Sequence, residues 1–174
     1  MQRARHLQHS AAGLEAFNEI DYPGRPELPV SQPFSYYLRV RYAECDAQKV
    51  VFNARYGDYV DLAVSEFIRA IGYGAQMVSS ELDFQLVKQT TEWKVPFRYD
   101  DVIECRVAAQ HIGNTSFTIG VEFRLAGEEV LRAKSETVYV MVDHQLAKTP
   151  VPAAFRAALE DGAKGQNTDH AARR

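Results

Sequence analysis

Asp46 stands in a short polar stretch, Glu44-Cys45-Asp46-Ala47-Gln48-Lys49, between an alternating segment and a helical one. An apolar step, Val50-Val51-Phe52, follows, then Asn53 and the tyrosines at 56 and 59. A loop carboxylate can take a proton or attack an electrophile itself. Taken alone, it is more often a turn residue or the acid that leads a helix. Asn53 reads on its own as a helix cap. Cys45 adjoins Asp46, but no histidine lies near it in the chain, so it reads as a small buried residue. His111 has no serine or cysteine partner and reads as a strand residue near a turn; His144 reads as surface. Glu66 falls in the helical stretch and is expected to pair with Arg69 or Arg41.

The elements around these residues follow from periodicity. Tyr56, Tyr59, Val60, Ala63, Phe67, Ala70 and Ile71 recur at helical spacing. Leu62, Val64 and Ile68 add apolar positions around the cylinder, which predicts one long central helix buried nearly all round and stopped at Gly72. Ahead of it, residues 34–42 alternate apolar and polar as a strand does. Four more strands are expected at about 84–95, 101–111, 115–125 and 129–142, with Trp93 and Phe84 in the sheet core. Three of their connections are tight, which predicts antiparallel neighbours. A short helix should follow Pro152. The fold class expected is α+β: an antiparallel five-stranded sheet wrapped around the central helix. A sheet edge left bare needs a partner, which predicts a dimer joined edge to edge.

Composition narrows the classes. The chain has 174 residues, 46% hydrophobic and 25% charged, with net charge −3. That suits one globular domain and gives no electrostatic case for binding nucleic acid. No apolar run is long enough to span a bilayer, and residues 1–17 lack the apolar core of a secretory signal. Two cysteines without metal-ligand spacing suit a cytoplasmic, reduced protein, and no metal or cofactor is expected. The domain is expected at 32–160. Residues 1–31 form an extension and a linker with four prolines in DYPGRPELPVSQP, and 161–174 are expected to form a disordered tail.

Arg41-Tyr42-Ala43-Glu44-Cys45-Asp46, Val50-Val51-Phe52, Tyr56, Tyr59 and Ser65 to Gly72, followed by Pro96 to Asp101 and Thr115-Ser116-Phe117, resemble the 4-hydroxybenzoyl-CoA thioesterase family of hotdog-fold enzymes. The resemblance covers about residues 34–155. It implies an acyl-CoA thioesterase in which Asp46 acts as nucleophile or general base. It implies a backbone N–H at Asn53 aimed at the thioester oxygen, where a helix start offers free donors and a positive dipole end. Val51, Phe52, Tyr56 and Asp61 would line the substrate site, with Thr115 and Ser116 reaching it from a neighbouring subunit. A homodimer is implied, and assembly to a homotetramer is expected. Two positions depart from the family pattern: Lys49 stands where glycine is frequent, and Asn53 where histidine is frequent. The turn at Gly113-Asn114 lacks the basic residues that help some members hold CoA. Three alternatives stay open: a module that binds acyl-CoA without catalysis, hydrolysis of a thioester on acyl carrier protein, and a hotdog hydratase or dehydratase. The last generally pairs an acid with a histidine, against which Asn53 speaks.

Overall fold

The structure, a computed structural model, describes residues 32–172. The extension and linker expected at 1–31 lie outside the described residues. Six strands form one sheet: β1 (Phe34–Arg39), β2 (Phe84–Trp93), β3 (Val102–Ile112), β4 (Ser116–Leu125), β5 (Leu131–Met141) and β6 (Asn167–Asp169), in the order β2-β5-β4-β3-β1-β6. The first five pair antiparallel. β6 lies parallel on β1, so the sheet has six strands where five were expected. The tail expected at 161–174 is ordered in part. The chain turns at Gly162 after the last helix, and three polar residues pair with β1 through their backbone. A polar sequence gave no apolar alternation to announce them.

Three helices are present: α1 (Arg55–Ala70), α2 (Gly74–Ser79) and α3 (Ala153–Asp161). α1 lies over β1, β3 and β4. It buries Tyr56, Tyr59, Val60, Ala63, Val64, Phe67 and Ile68. Each of the valine, phenylalanine and isoleucine side chains among these stabilises by about 1.5–3 kcal/mol relative to exposure. Burial holds this helix, because its cap position, Ala54, makes no side-chain bond. The expectation of a helix buried nearly all round is corrected: Arg55, Asp58, Asp61, Leu62 and Arg69 face outward, with Leu62 48% exposed. α1 has one apolar face on the sheet and one face in water. It ends at Ala70 with Ile71 as its cap, and Gly72 follows at φ 92°, a conformation that favours glycine. Pro152 caps α3, which buries Phe155 and Leu159; Phe155 meets Phe117 and Tyr73 edge-on.

Inside the sheet, alternation does what the sequence predicts. β1 buries Phe34, Tyr36 and Leu38, and β5 buries Ala133, Ser135, Thr137, Tyr139 and Met141. Between β1 and α1 the chain forms a 3-10 turn at Tyr42–Glu44 and then the polar loop that carries Asp46.

Candidate active site

The Asp46 loop is a small antiparallel hairpin. Cys45 and Val51 form an isolated bridge. Inside it, the Asp46 N–H donates to Val50 O at 2.9 Å and the Lys49 N–H to Asp46 O at 2.9 Å. Outside it, the Phe52 N–H donates to Glu44 O at 2.9 Å. The turn needs one residue in the left-handed region, and Lys49 takes it, at φ 63°. A lysine there holds the backbone conformation that glycine adopts without strain.

The Asp46 carboxylate is oriented by its own loop. Oδ1 accepts the Gln48 N–H at 2.8 Å and the Val50 N–H at 3.4 Å. Aspartate favours this local turn because its short side chain reaches the backbone two residues on. Among the described residues no donor engages Oδ2, so one carboxylate oxygen is fixed and the other is available.

The chain then turns into α1. The Arg55 N–H donates to Phe52 O, Tyr56 to Asn53 O, and Gly57 to Ala54 O. Asn53 therefore sits in the turn two residues ahead of the helix. Its backbone N–H has no acceptor among the described residues, as expected at the end of a helix, where the first donors are unmatched.

The opposite wall comes from the end of β2 and the segment after it. The Val51 N–H donates to Phe97 O at 2.9 Å, joining the two walls. The Lys94 and Val95 N–H groups both donate to Arg132 O. The Arg132 side chain closes back on this segment: Nη1 bonds Pro96 O at 3.2 Å, and the guanidinium lies over the Phe97 ring at 5.3 Å. Between the walls is a cleft of about 350 Å³ lined by Asp46, Gln48, Val50, Val51, Phe52, Asn53, Tyr56, Trp93, Lys94, Val95 and Pro96. At its floor Tyr56 is buried and meets Trp93, Phe97 and Phe123. Burial pushes the Tyr56 phenol up to about 12.

The cleft unites Asp46, Asn53, Val51, Phe52 and Tyr56 from three neighbouring stretches. Asp61, Thr115 and Ser116 do not line it within one chain. Asp61 lies on the outer face of α1, where partial desolvation and the neighbouring Asp58 raise its pKa. Thr115 and Ser116 sit at the start of β4, and the Thr115 carbonyl accepts the Met141 N–H. Trp93, expected in the sheet core, is 52% exposed and forms part of the cleft wall. Phe84 is half-buried in a ring cluster with Phe117 and Tyr139. Gln48 was read only as part of the polar stretch, and Lys94, Val95 and Pro96 were not anticipated at the site, because nothing in sequence links the end of β2 to a loop more than forty positions earlier. Glu66 pairs with Arg69 at 3.3 Å. Among the described residues no group of three His, Cys, Asp or Glu side chains could hold a metal ion.

A family model described as the thioesterase-like superfamily matches residues 40–159, from the end of β1 through most of α3. The chain belongs to that superfamily. An Escherichia coli protein named acyl-CoA thioester hydrolase YbgC is 29% identical over 111 residues, covering 63% of this chain and 82% of the relative. A Haemophilus influenzae acyl-CoA thioesterase YbgC is 27% identical over 112 residues, covering 63% and 81%. A solved Aquifex aeolicus structure superposes with a TM-score of 0.68 at 30% identity, covering 73% of this chain and 99% of that one. A gentisyl-coenzyme A thioesterase structure superposes with a TM-score of 0.63 at 23% identity, covering 72% and 98%; at that identity the likeness concerns the hotdog fold alone. The superfamily is broader than the 4-hydroxybenzoyl-CoA thioesterase family that the Asp46 loop resembles.

Proposed function

We propose that this thioesterase-like protein hydrolyses acyl-CoA thioesters, with Asp46 as the acting carboxylate and the Asn53 N–H as oxyanion donor. One observation carries the reading: a carboxylate with one oxygen fixed and one available lines the same cleft as an unmatched backbone N–H at a helix start. The thioester carbonyl would enter between them. Either a water attacks while Asp46 takes its proton, or Oδ2 attacks and forms a mixed anhydride that water then cleaves. In both routes the carbonyl oxygen becomes an oxyanion facing the Asn53 N–H, and the C–S bond breaks to release the CoA thiolate, which takes up a proton. Loss of one well-aimed oxyanion donor costs roughly 3–4 kcal/mol in comparable sites. Neither route needs a metal.

Val51, Phe52 and Tyr56 would contact the bound thioester on the Asp46 side. Thr115, Ser116 and Asp61 would complete the site across a dimer formed by pairing sheet edges, and two such dimers would form a tetramer. A cytoplasmic setting suits a CoA substrate. Among the described residues no helix is long and apolar enough to cross a membrane.

The test is thiol release from a panel of acyl-CoAs that differ in chain length and ring content. The reading expects turnover of at least one. Measurable binding of several with release from none would favour an acyl-CoA-binding module instead. Release from acyl carrier protein but not from CoA would move the substrate class. A single turnover in ¹⁸O water then tests the routes: label on Asp46 requires a mixed anhydride cleaved at its aspartyl carbonyl, whereas the general-base route puts all of the label in the free acid.

A further inference from the structure

A bare sheet edge offers a row of unpaired backbone groups and recruits another strand unless something blocks it. The two edges here differ in kind. β2 runs for ten residues and exposes Leu86 and Val87. At the other side β1 would be the edge, but Asn167, Thr168 and Asp169 lie parallel on Ser35, Tyr36 and Tyr37. This strand is short and polar, so its own apolar content does not hold it in place.

The fastenings lie on either side of it. The Gly165 N–H donates to Gln32 O at 3.0 Å, and the Ser35 N–H to Gln166 O at 3.1 Å. At the far end the His170 N–H donates to Tyr37 O at 2.9 Å. The His170 ring meets Tyr36 edge-on at 5.4 Å, with Nδ1 3.2 Å from the Tyr36 hydroxyl. Arg39 Nε donates to Ala171 O at 3.2 Å, and Ala171 is 2% exposed. The turn into the strand favours a glycine, with Gly165 at φ 75°.

We infer that residues 165–171 are an edge cap built into the chain, which occupies the pairing groups of β1 and confines edge-to-edge association between copies to β2. With one usable edge, association closes at a two-fold pair. With two, each pair would present fresh β1 edges and growth would continue, as open contacts do. The cap is itself a poor template, being three residues long with the Asp169 carboxylate turned back to accept the Ala171 N–H at 2.8 Å. The β2 half of this inference rests on the edge-paired dimer proposed above; the β1 half does not.

The experiment compares three chains by light scattering and sedimentation from micromolar to millimolar: the full chain, a chain ending at Lys164, and full-length His170→Pro. The proline removes the N–H to Tyr37 and the ring on Tyr36 without touching the cleft. Circular dichroism and a thermal transition establish that each is folded. The full chain should keep one mass throughout. The altered chains should gain mass with concentration, reaching at least about twice that of the full chain. A folded altered chain whose mass matches the full chain at every concentration would overturn the cap. Should the shortened chain fail to fold, His170→Pro and Gly165→Ala decide, because their changes lie outside the core. A monomeric full chain would contradict the dimer, while self-association of the altered chains would still support the cap.

Discussion

The Tyr59 hydroxyl donates to Glu44 Oε2 at 2.9 Å, and the same oxygen accepts the Arg41 N–H at 2.7 Å. Glu44 also holds the Phe52 N–H through its carbonyl. One residue thus joins the end of β1, the closing arm of the Asp46 hairpin and the first turns of α1. Burial, with the bond to Glu44 added, drives the Tyr59 pKa far above the usual phenol value. The hydroxyl therefore remains a donor at any working pH. Tyr59→Phe should cost about 1–2 kcal/mol in denaturant unfolding. It should lower kcat by about tenfold through misplacement of the loop, with KM changed less.

Lys49 carries the strain of the hairpin. Lys49→Gly should keep the loop and stabilise the protein by about 0.5–1 kcal/mol, the relief of left-handed strain outweighing the entropy cost of glycine. Lys49→Ile should instead destabilise by about 1–2 kcal/mol, because a β-branched residue fits that conformation poorly. Chemical denaturation of both variants checks the sign of each. Thiol release within a few-fold of the parent by the glycine variant would show that catalysis needs the turn and not the ammonium group.

Acid stability should depend on Glu104. This carboxylate is 7% exposed on the outer side of the sheet. It accepts from Ser35 at 2.9 Å, Tyr37 at 3.0 Å and Arg106 at 3.3 Å. Burial alone would raise its pKa; these donors outweigh it and hold the pKa below the ordinary 4.5. Its contribution to stability is complete above 4.5 and drains away as pH falls from there through the lower folded value. Glu104→Gln should cost about 1–3 kcal/mol at neutral pH and flatten the loss of stability on the acid side. Unfolding curves from neutral pH to pH 3 read both effects.

Much of this was legible from residue pattern, because burial is periodic. Alternation and turn signals located the first five strands, with ends displaced by up to three residues, and the spacing from Tyr56 to Ile71 located α1. Three features were not legible, for separate physical reasons. Leu62 counted as apolar in the pattern, but which face of a helix meets water depends on where the sheet lies. β6 is held by backbone bonds and by Ala171 beyond it, so its side chains carry no strand signal. At the site, Asp46, Val51, Phe52, Asn53 and Tyr56 are near one another in sequence and could be read as a set. Trp93 and Lys94 stand across the cleft from this set, held there by pairing with β5 and by the Val51 N–H bond to Phe97 O, contacts that no local spacing encodes.

The proposed hydrolysis turns on the Asp46 carboxylate. Asp46→Asn retains an oxygen that can accept the Gln48 and Val50 N–H groups, so the hairpin should persist, but an amide is neither a base nor a nucleophile here. The measurement is kcat of a folded Asp46→Asn protein on its best acyl-CoA, with a thermal transition matching the parent. A fall of at least about a hundredfold is expected if Asp46 is the acting carboxylate. Turnover at the parent's rate would contradict that role.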